Sequence, residues 1–218
     1  MKNIKLLCLS FVAVAAFSCK NTNKENSHDA EHKNGSEHSH DGETTQFSLV
    51  SDSTKVSFIA YKTTEKLPVG GTFKTINITN STPGATALEA MNGTEFSIPV
   101  SSLFTNDPTG TRDPKLLEFF FGVMKNTELI SGILKVDGST YSLEATLNGE
   151  TSTIPLQAEF IAENKYILTG VMNLENWKAL DAVAALNKAC EALHTGADGV
   201  SKTWNEVAVK AEVLLLKK

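Results

Sequence analysis

Two residue pairs and one histidine tract in this 218-residue chain could do chemistry. Cys190 and His194 stand four apart in "CEALH", so on a helix they share a face within reach of each other. An imidazole beside a thiol can activate it as a nucleophile; the plainer reading is a buried cysteine near an incidental histidine. Arg112, the single arginine, precedes Asp113 in "TGTRDPKLLEFFFGVM" (109–124). Its planar fork suits a phosphate or another oxygen-bearing polar head group, with Lys115 assisting. Equally, Arg112 could pair with a carboxylate or carbonyl while Asp113 caps a helix. The tract "KNTNKENSHDAEHKNGSEHSHDGETT" (20–45) sets His28, His32, His38 and His40 among Asp and Glu oxygens. His-rich tracts capture metal, but a segment without preformed geometry would hold Zn or Cu only weakly. No G-x-S-x-G, H-E-x-x-H, P-loop or Rossmann glycine pattern occurs. The expectation is therefore a binding protein, with no catalytic residues, no cofactor and no formal metal site.

The segments that carry these residues divide the chain in three. "MKNIKLLCLSFVAVAAFSC" places Lys2 and Lys5 before an apolar run and then small residues, the pattern of a secretory signal over 1–18. The run falls short of the roughly 20 apolar residues that span a bilayer core. "AFSC" puts Cys19 where a lipobox has its acylated cysteine, and two or more acyl chains anchor stably. Lys20 stands where aspartate would favour inner-membrane retention, which points to the outer membrane, facing the periplasm. Residues 19–45 offer almost nothing to bury and read as the lipidated cysteine and a disordered tether. Cys8 leaves with the signal and Cys19 is acylated, so Cys190 alone cannot form an internal disulfide. Loss of 1–18 removes Lys2 and Lys5 but no carboxylate, moving the net charge from −5 to −7. An acidic chain with one arginine lacks the clustered cations that phosphate backbones need, so nucleic acid is excluded as a partner.

Residues 46–218 have the length of one domain, and alternation of apolar and polar residues dominates them. Strands are predicted over 56–62, 70–79, 94–100, 128–136, 141–149, 151–163, 165–174 and 203–216. Asp137-Gly138, Asn148-Gly149 and Glu163-Asn164 mark tight turns, and Pro99 and Pro155 belong at edges or bulges. "DPKLLEFFFG" reads as a short helix with Asp113 as N-cap, Pro114 in the first turn and Gly122 as terminator. Residues 176–196, rich in Ala and Leu, read as one longer amphipathic helix. Eight antiparallel strands remove their open edges by closing, which predicts a mainly β, closed eight-stranded barrel with one short and one longer helix. A barrel of that size is either filled by its own side chains or holds one small ligand.

With these elements placed, the chain resembles the YceI-like family of exported polyisoprenoid-binding barrels. The matching pieces are "DSTKVSF" (52–58), "VGGTFKTIN" (69–77), "TRDPKLLEFFF" (111–121) and "DGVSKTWNEVAVKAEVLLLKK" (198–218), in family order across 47–218. The resemblance implies a lipocalin-like barrel whose apolar cavity holds an isoprenoid lipid, such as a polyprenol or a quinone tail. Storage, transfer or stress protection would then be its use in the envelope. The alternative is a filled barrel that acts as a structural or interaction module of the envelope. Candidate cavity residues are Phe58, Phe73, Phe96, Ile98, Leu129, Ile133 and Trp204 on strands, with Arg112, Leu116, Phe120 and Phe121 around the short helix. That helix is apolar on nearly every side and must be buried on most of them.

Overall fold

The computed structural model describes residues 46–162 and 164–218, all within the unit Gly42–Lys218. The expected signal peptide, Cys19 and the tract with His28, His32, His38 and His40 lie outside the described residues.

Period-two stretches become strands β1 (Phe47–Leu49), β2 (Lys55–Lys62), β3 (Leu67–Phe73), β4 (Asn77–Asn80), β5 (Glu95–Pro99) and β6 (Leu103–Phe104). They continue as β7 (Leu129–Asp137), β8 (Thr140–Leu147), β9 (Glu150–Ala162), β10 (Lys165–Asn173) and β11 (Glu206–Lys217). Every pairing is antiparallel. The predicted turn at Asn148-Gly149 forms: Asn148 (φ 55°) and Gly149 (φ 72°) take the two positive φ values of a type I′ hairpin; Glu163 of the predicted Glu163-Asn164 turn lies outside the described residues. Pro155 sits where β9 changes partner. Residues up to Leu156 pair with β8, and Leu156 onward pair with β10, so the missing N–H falls at a local edge.

The expected mainly β, antiparallel fold holds, while the ladder of hydrogen bonds differs from the closed one of eight strands that was expected. Hydrogen bonding follows an open path of ten strands, β4-β5-β7-β8-β9-β10-β11-β2-β3-β6, with β1 added beside β11, and the sheet curls into a half-barrel. Two corners explain the difference. The predicted 70–79 strand divides into β3 and β4 around residues 74–76, and Pro99 leads β5 into a 3-10 turn at Val100–Ser102 before β6. A proline has no N–H to continue a ladder. β1 and β6, three and two residues long, are too short to show alternation.

The helices are α1 (Ala87–Met91), α2 (Arg112–Phe119), α3 (Leu180–Ala189) and α4 (Glu191–His194). The single helix expected over 176–196 is broken in two places. Lys178 takes the left-handed conformation (φ 52°) after a 3-10 turn at Leu174–Trp177, and Cys190 leaves helical geometry between α3 and α4. Trp177 is fully buried there, its indole N–H donating to Ala145 O at 2.9 Å. The buried core has two parts. One gathers Phe73, Ile98, Val100, Phe121, Leu147, Ile154, Leu174 and Trp177 beneath α2 and α3. The other gathers Met91, Leu134, Leu168, Val213 and Leu215 beneath α1, at the opposite ends of β7 and β11.

Candidate functional site

Between those two cores the curled sheet encloses a cavity of about 220 Å³. One water needs roughly 10–15 Å³ on that scale, so the space is large for a β-sheet interior. It is smaller than the roughly 300–1,000 Å³ of common ligand pockets, which suits a slender guest. Its walls run from Thr54 to Ala60 on β2 and from Val207 to Val213 on β11. Six residue steps at about 3.3 Å give a length of about 20 Å. A zigzag chain with four bonds of about 1.5 Å per isoprene unit would fit on the order of four units.

Three inner-face glycines keep this space open. Gly71 lies directly opposite Phe58, Gly132 opposite Phe96 and Gly170 opposite Leu156. In each pair the large side chain lies flat over the glycine. A Cβ at Gly71 would collide with the tip of the Phe58 ring. One at Gly132 would sit 2.9 Å from Phe96 Cζ, and one at Gly170 2.7 Å from Leu156 Cδ2. Side chains spread along the wall do not fill the lumen. The sequence signal for this role was a lone glycine inside each strand, which marks close approach of a neighbour.

Eight of the eleven expected cavity residues line the space: Phe58, Phe73, Phe96, Ile98, Leu116, Phe120, Phe121 and Trp204. Phe58 and Phe73 meet with ring centroids 5.8 Å apart, and Phe120 meets Phe121 edge-on at 5.0 Å. These two rings stand just past α2, which ends at Phe119 instead of running to the expected terminator Gly122. Phe121 is buried in the core and both it and Phe120 reach the cavity, with Leu116 one turn before.

Three expectations are corrected. Leu129 and Ile133 do not line the cavity; Ile130 and Leu134 do. β7 presents its even positions inward and its odd positions outward, leaving Leu129 47% exposed. Both faces of "LISGILKVD" carry apolar residues, and Ser131, Lys135 and Asp137 mark the odd parity as the one that faces water. Arg112 also lies off the cavity. Its guanidinium is 3.9 Å from Asp107 Oδ1 and its side chain is 40% exposed. Asp113 is not the N-cap either. Asp107 Oδ2 accepts from the N–H groups of Thr111 (3.0 Å) and Arg112 (3.1 Å), while Asp113 accepts from Thr105 N–H and hydroxyl. The Thr109 hydroxyl, together with those N–H groups, holds the Asp107 carboxyl at about 2.

The Cys190–His194 pair does not form a dyad. The helix breaks at Cys190, and His194 Nδ1 instead meets the Thr203 hydroxyl at 2.6 Å, which donates to Asn187 Oδ1 at 2.9 Å. Burial, and then Lys62 and Lys115, push the His194 imidazole below the usual histidine range.

The cavity wall is apolar apart from a few residues. Thr54 bonds Val50 O and Thr203 bonds Asn187. The Lys210 ammonium lies 2.8 Å from Glu212 Oε1, and Ser57 sits at an outward register position between Val56 and Phe58. Thr94 differs. It is 4% exposed and lines the cavity, and its hydroxyl is the one buried side-chain polar atom without a partner among the described residues.

Comparison with known proteins agrees with this geometry. A family model described as a YceI-like domain matches residues 47–215. The chain is similar in structure to a polyisoprenoid-binding domain from Saccharophagus degradans implicated in plant cell wall breakdown, at 13% identity and a TM-score of 0.54. That match covers 78% of this chain and 96% of the other, and at such identity it speaks to the fold alone. BcnA of Burkholderia cenocepacia is similar at 14% identity and a TM-score of 0.47, covering 77% of this chain and 99% of BcnA. A YceI protein of Campylobacter jejuni is similar at 16% identity and a TM-score of 0.43, covering 69% and 85%. No curated protein matches the chain. With the family model spanning nearly all of the described sheet, the chain belongs to the YceI-like family.

Proposed function

We propose that this protein is an envelope lipoprotein that binds an isoprenoid lipid, a polyprenol or the tail of a quinone, for storage, transfer or stress protection. The observation that carries the reading is the cavity: about 220 Å³, roughly 20 Å long, and walled by Phe58, Phe96, Phe120, Leu143, Leu156 and Val209 among others. Apolar area withdrawn from water contributes about 25 cal/mol per Å², offset by the ordering of a flexible chain. A methyl-branched chain gains in such a slot what a bulky or charged guest does not. The similar fold from Saccharophagus degradans is that of a polyisoprenoid-binding domain, so an architecture of this kind can house such a ligand.

The reading treats β3 with β4, and β5 with β6, as two bent strands, so that eight staves ring the guest. The pairings Ile78 with Phe96 and Phe73 with Leu103, and the Lys74 N–H donating to Ser102 O at 2.9 Å, favour that closure. It also places Cys19 at the membrane as an acylated anchor, with the domain held off by residues 20–45. Function here is binding and presentation, with no chemical step. Native mass spectrometry of the full chain extracted from its own cells tests it. A co-purifying apolar lipid, released on unfolding, is the expected result. A clean protein mass from freshly extracted material would reject it in favour of a filled structural module.

A further inference from the structure

Thr94 joins α1 to β5 at the end of the cavity covered by Ala90 and Met91, both fully buried. Its backbone is satisfied: its N–H donates to Met91 O at 3.2 Å, and its carbonyl accepts from Leu134 N–H at 2.9 Å. Its side chain shares the inward parity of Phe96 and Ile98, and all three line the cavity. The hydroxyl thus has neither a protein partner nor solvent, in a wall lined at that end by Leu49, Ile78, Leu134, Leu168 and Val213, where the one other hydroxyl, that of Thr54, already donates to Val50 O. Buried polar atoms in native proteins are ordinarily bonded, so an orphan that faces a ligand space points to the ligand.

We propose that Thr94 Oγ1 is the polar anchor of the cavity, seating one uncharged hydroxyl or carbonyl group of the guest at the α1 end, with its apolar chain extending toward α2 and Trp204. This rests on the reading of the cavity as a lipid site and narrows the lipid. A hydroxyl can donate to a carbonyl or accept from an alcohol. It cannot compensate a buried phosphate or carboxylate, which needs paired charge. The single charged residue on the wall, Lys210, has its ammonium against Glu212, and Arg112 lies off the cavity beside Asp107. The guest is therefore a neutral isoprenoid alcohol or carbonyl compound seated with its polar end beneath α1.

Phytane, phytol and phytanic acid share one four-unit branched carbon skeleton and differ at the terminus as hydrocarbon, alcohol and carboxylate, phytol carrying one double bond besides. Each is titrated into the full chain at neutral pH and followed by tryptophan fluorescence, since Trp204 lines the cavity. The wild-type chain is expected to bind phytol about fivefold to tenfold tighter than phytane, the size of one net hydrogen bond, and phytanic acid weakest. Thr94→Val, which keeps the volume and removes the hydroxyl, should bring phytol down to phytane while leaving phytane binding intact; Thr94→Ser should keep the preference. Retained phytane binding in the valine variant shows that it is folded. A Thr94→Val chain that still prefers phytol, or a wild type that prefers phytanic acid, overturns the anchor. If phytane binds and phytol gains nothing, only the anchor fails; if neither binds, the lipid reading fails with it.

Discussion

At the residue scale, Arg112, Asp113 and His194 are each held by neighbouring polar groups, and the polar atom the cavity leaves without a partner belongs to a threonine. Arg112 and Asp113 belong to the start of α2, where Asp107 holds the first N–H groups. His194 joins the Thr203–Asn187 chain of hydrogen bonds at the edge of the cavity. Its environment gives a pH prediction. The folded imidazole titrates below its unfolded value of 6.5, because burial and then Lys62 and Lys115 disfavour the charged form. As pH falls through 6.5 the unfolded chain takes up the proton first, so the stability this group contributes is full above that pH and declines as pH approaches the folded value. Tm should therefore fall on mild acidification, and His194→Gln should show a shallower fall over the same window. Identical slopes for the two proteins would contradict this.

At the scale of elements, the inner-face glycines decide whether the strands enclose a lumen or a solid core. Gly71→Ala meets only the flexible tip of Phe58, so the ring should swing inward while the sheet keeps its backbone. Phytane affinity should drop about tenfold, equivalent to roughly 50 Å² of lost apolar contact, with Tm little changed. Gly132→Ala meets the Glu144 carbonyl oxygen at 2.6 Å, which cannot swing away, and should cost about 1–3 kcal/mol of stability in denaturant unfolding. Equal effects of the two variants on stability would undo the distinction. Much of this architecture was legible beforehand: strand alternation, the Asn148-Gly149 turn and the aromatic helix all carry local signals. What escaped was set by long-range packing. The parity of β7 was marked by Ser131, Lys135 and Asp137, but the apolar Leu129 and Ile133 share that face and were placed on the wrong side. The break at Lys178 follows from seating Trp177 against Ala145, a contact 32 residues away in sequence. Thr94 carries no sequence mark at all, since only burial makes its hydroxyl an orphan.

At the scale of the whole molecule, two cores beneath α1 and beneath α2 with α3 brace the ends of the curled sheet and leave the middle unfilled. Stability is thereby drawn from the ends, and the central wall is free to serve a guest. The most direct measurement is a crystal structure of the protein as isolated from its own cells, without added lipid. Continuous density with regularly spaced methyl branches, running about 20 Å along the wall from Thr94 toward Trp204 and ending within hydrogen-bond distance of Thr94 Oγ1, is the predicted result. Phe58, Phe96 and Phe120 swung inward to close the lumen, leaving no room for a chain, would contradict the account.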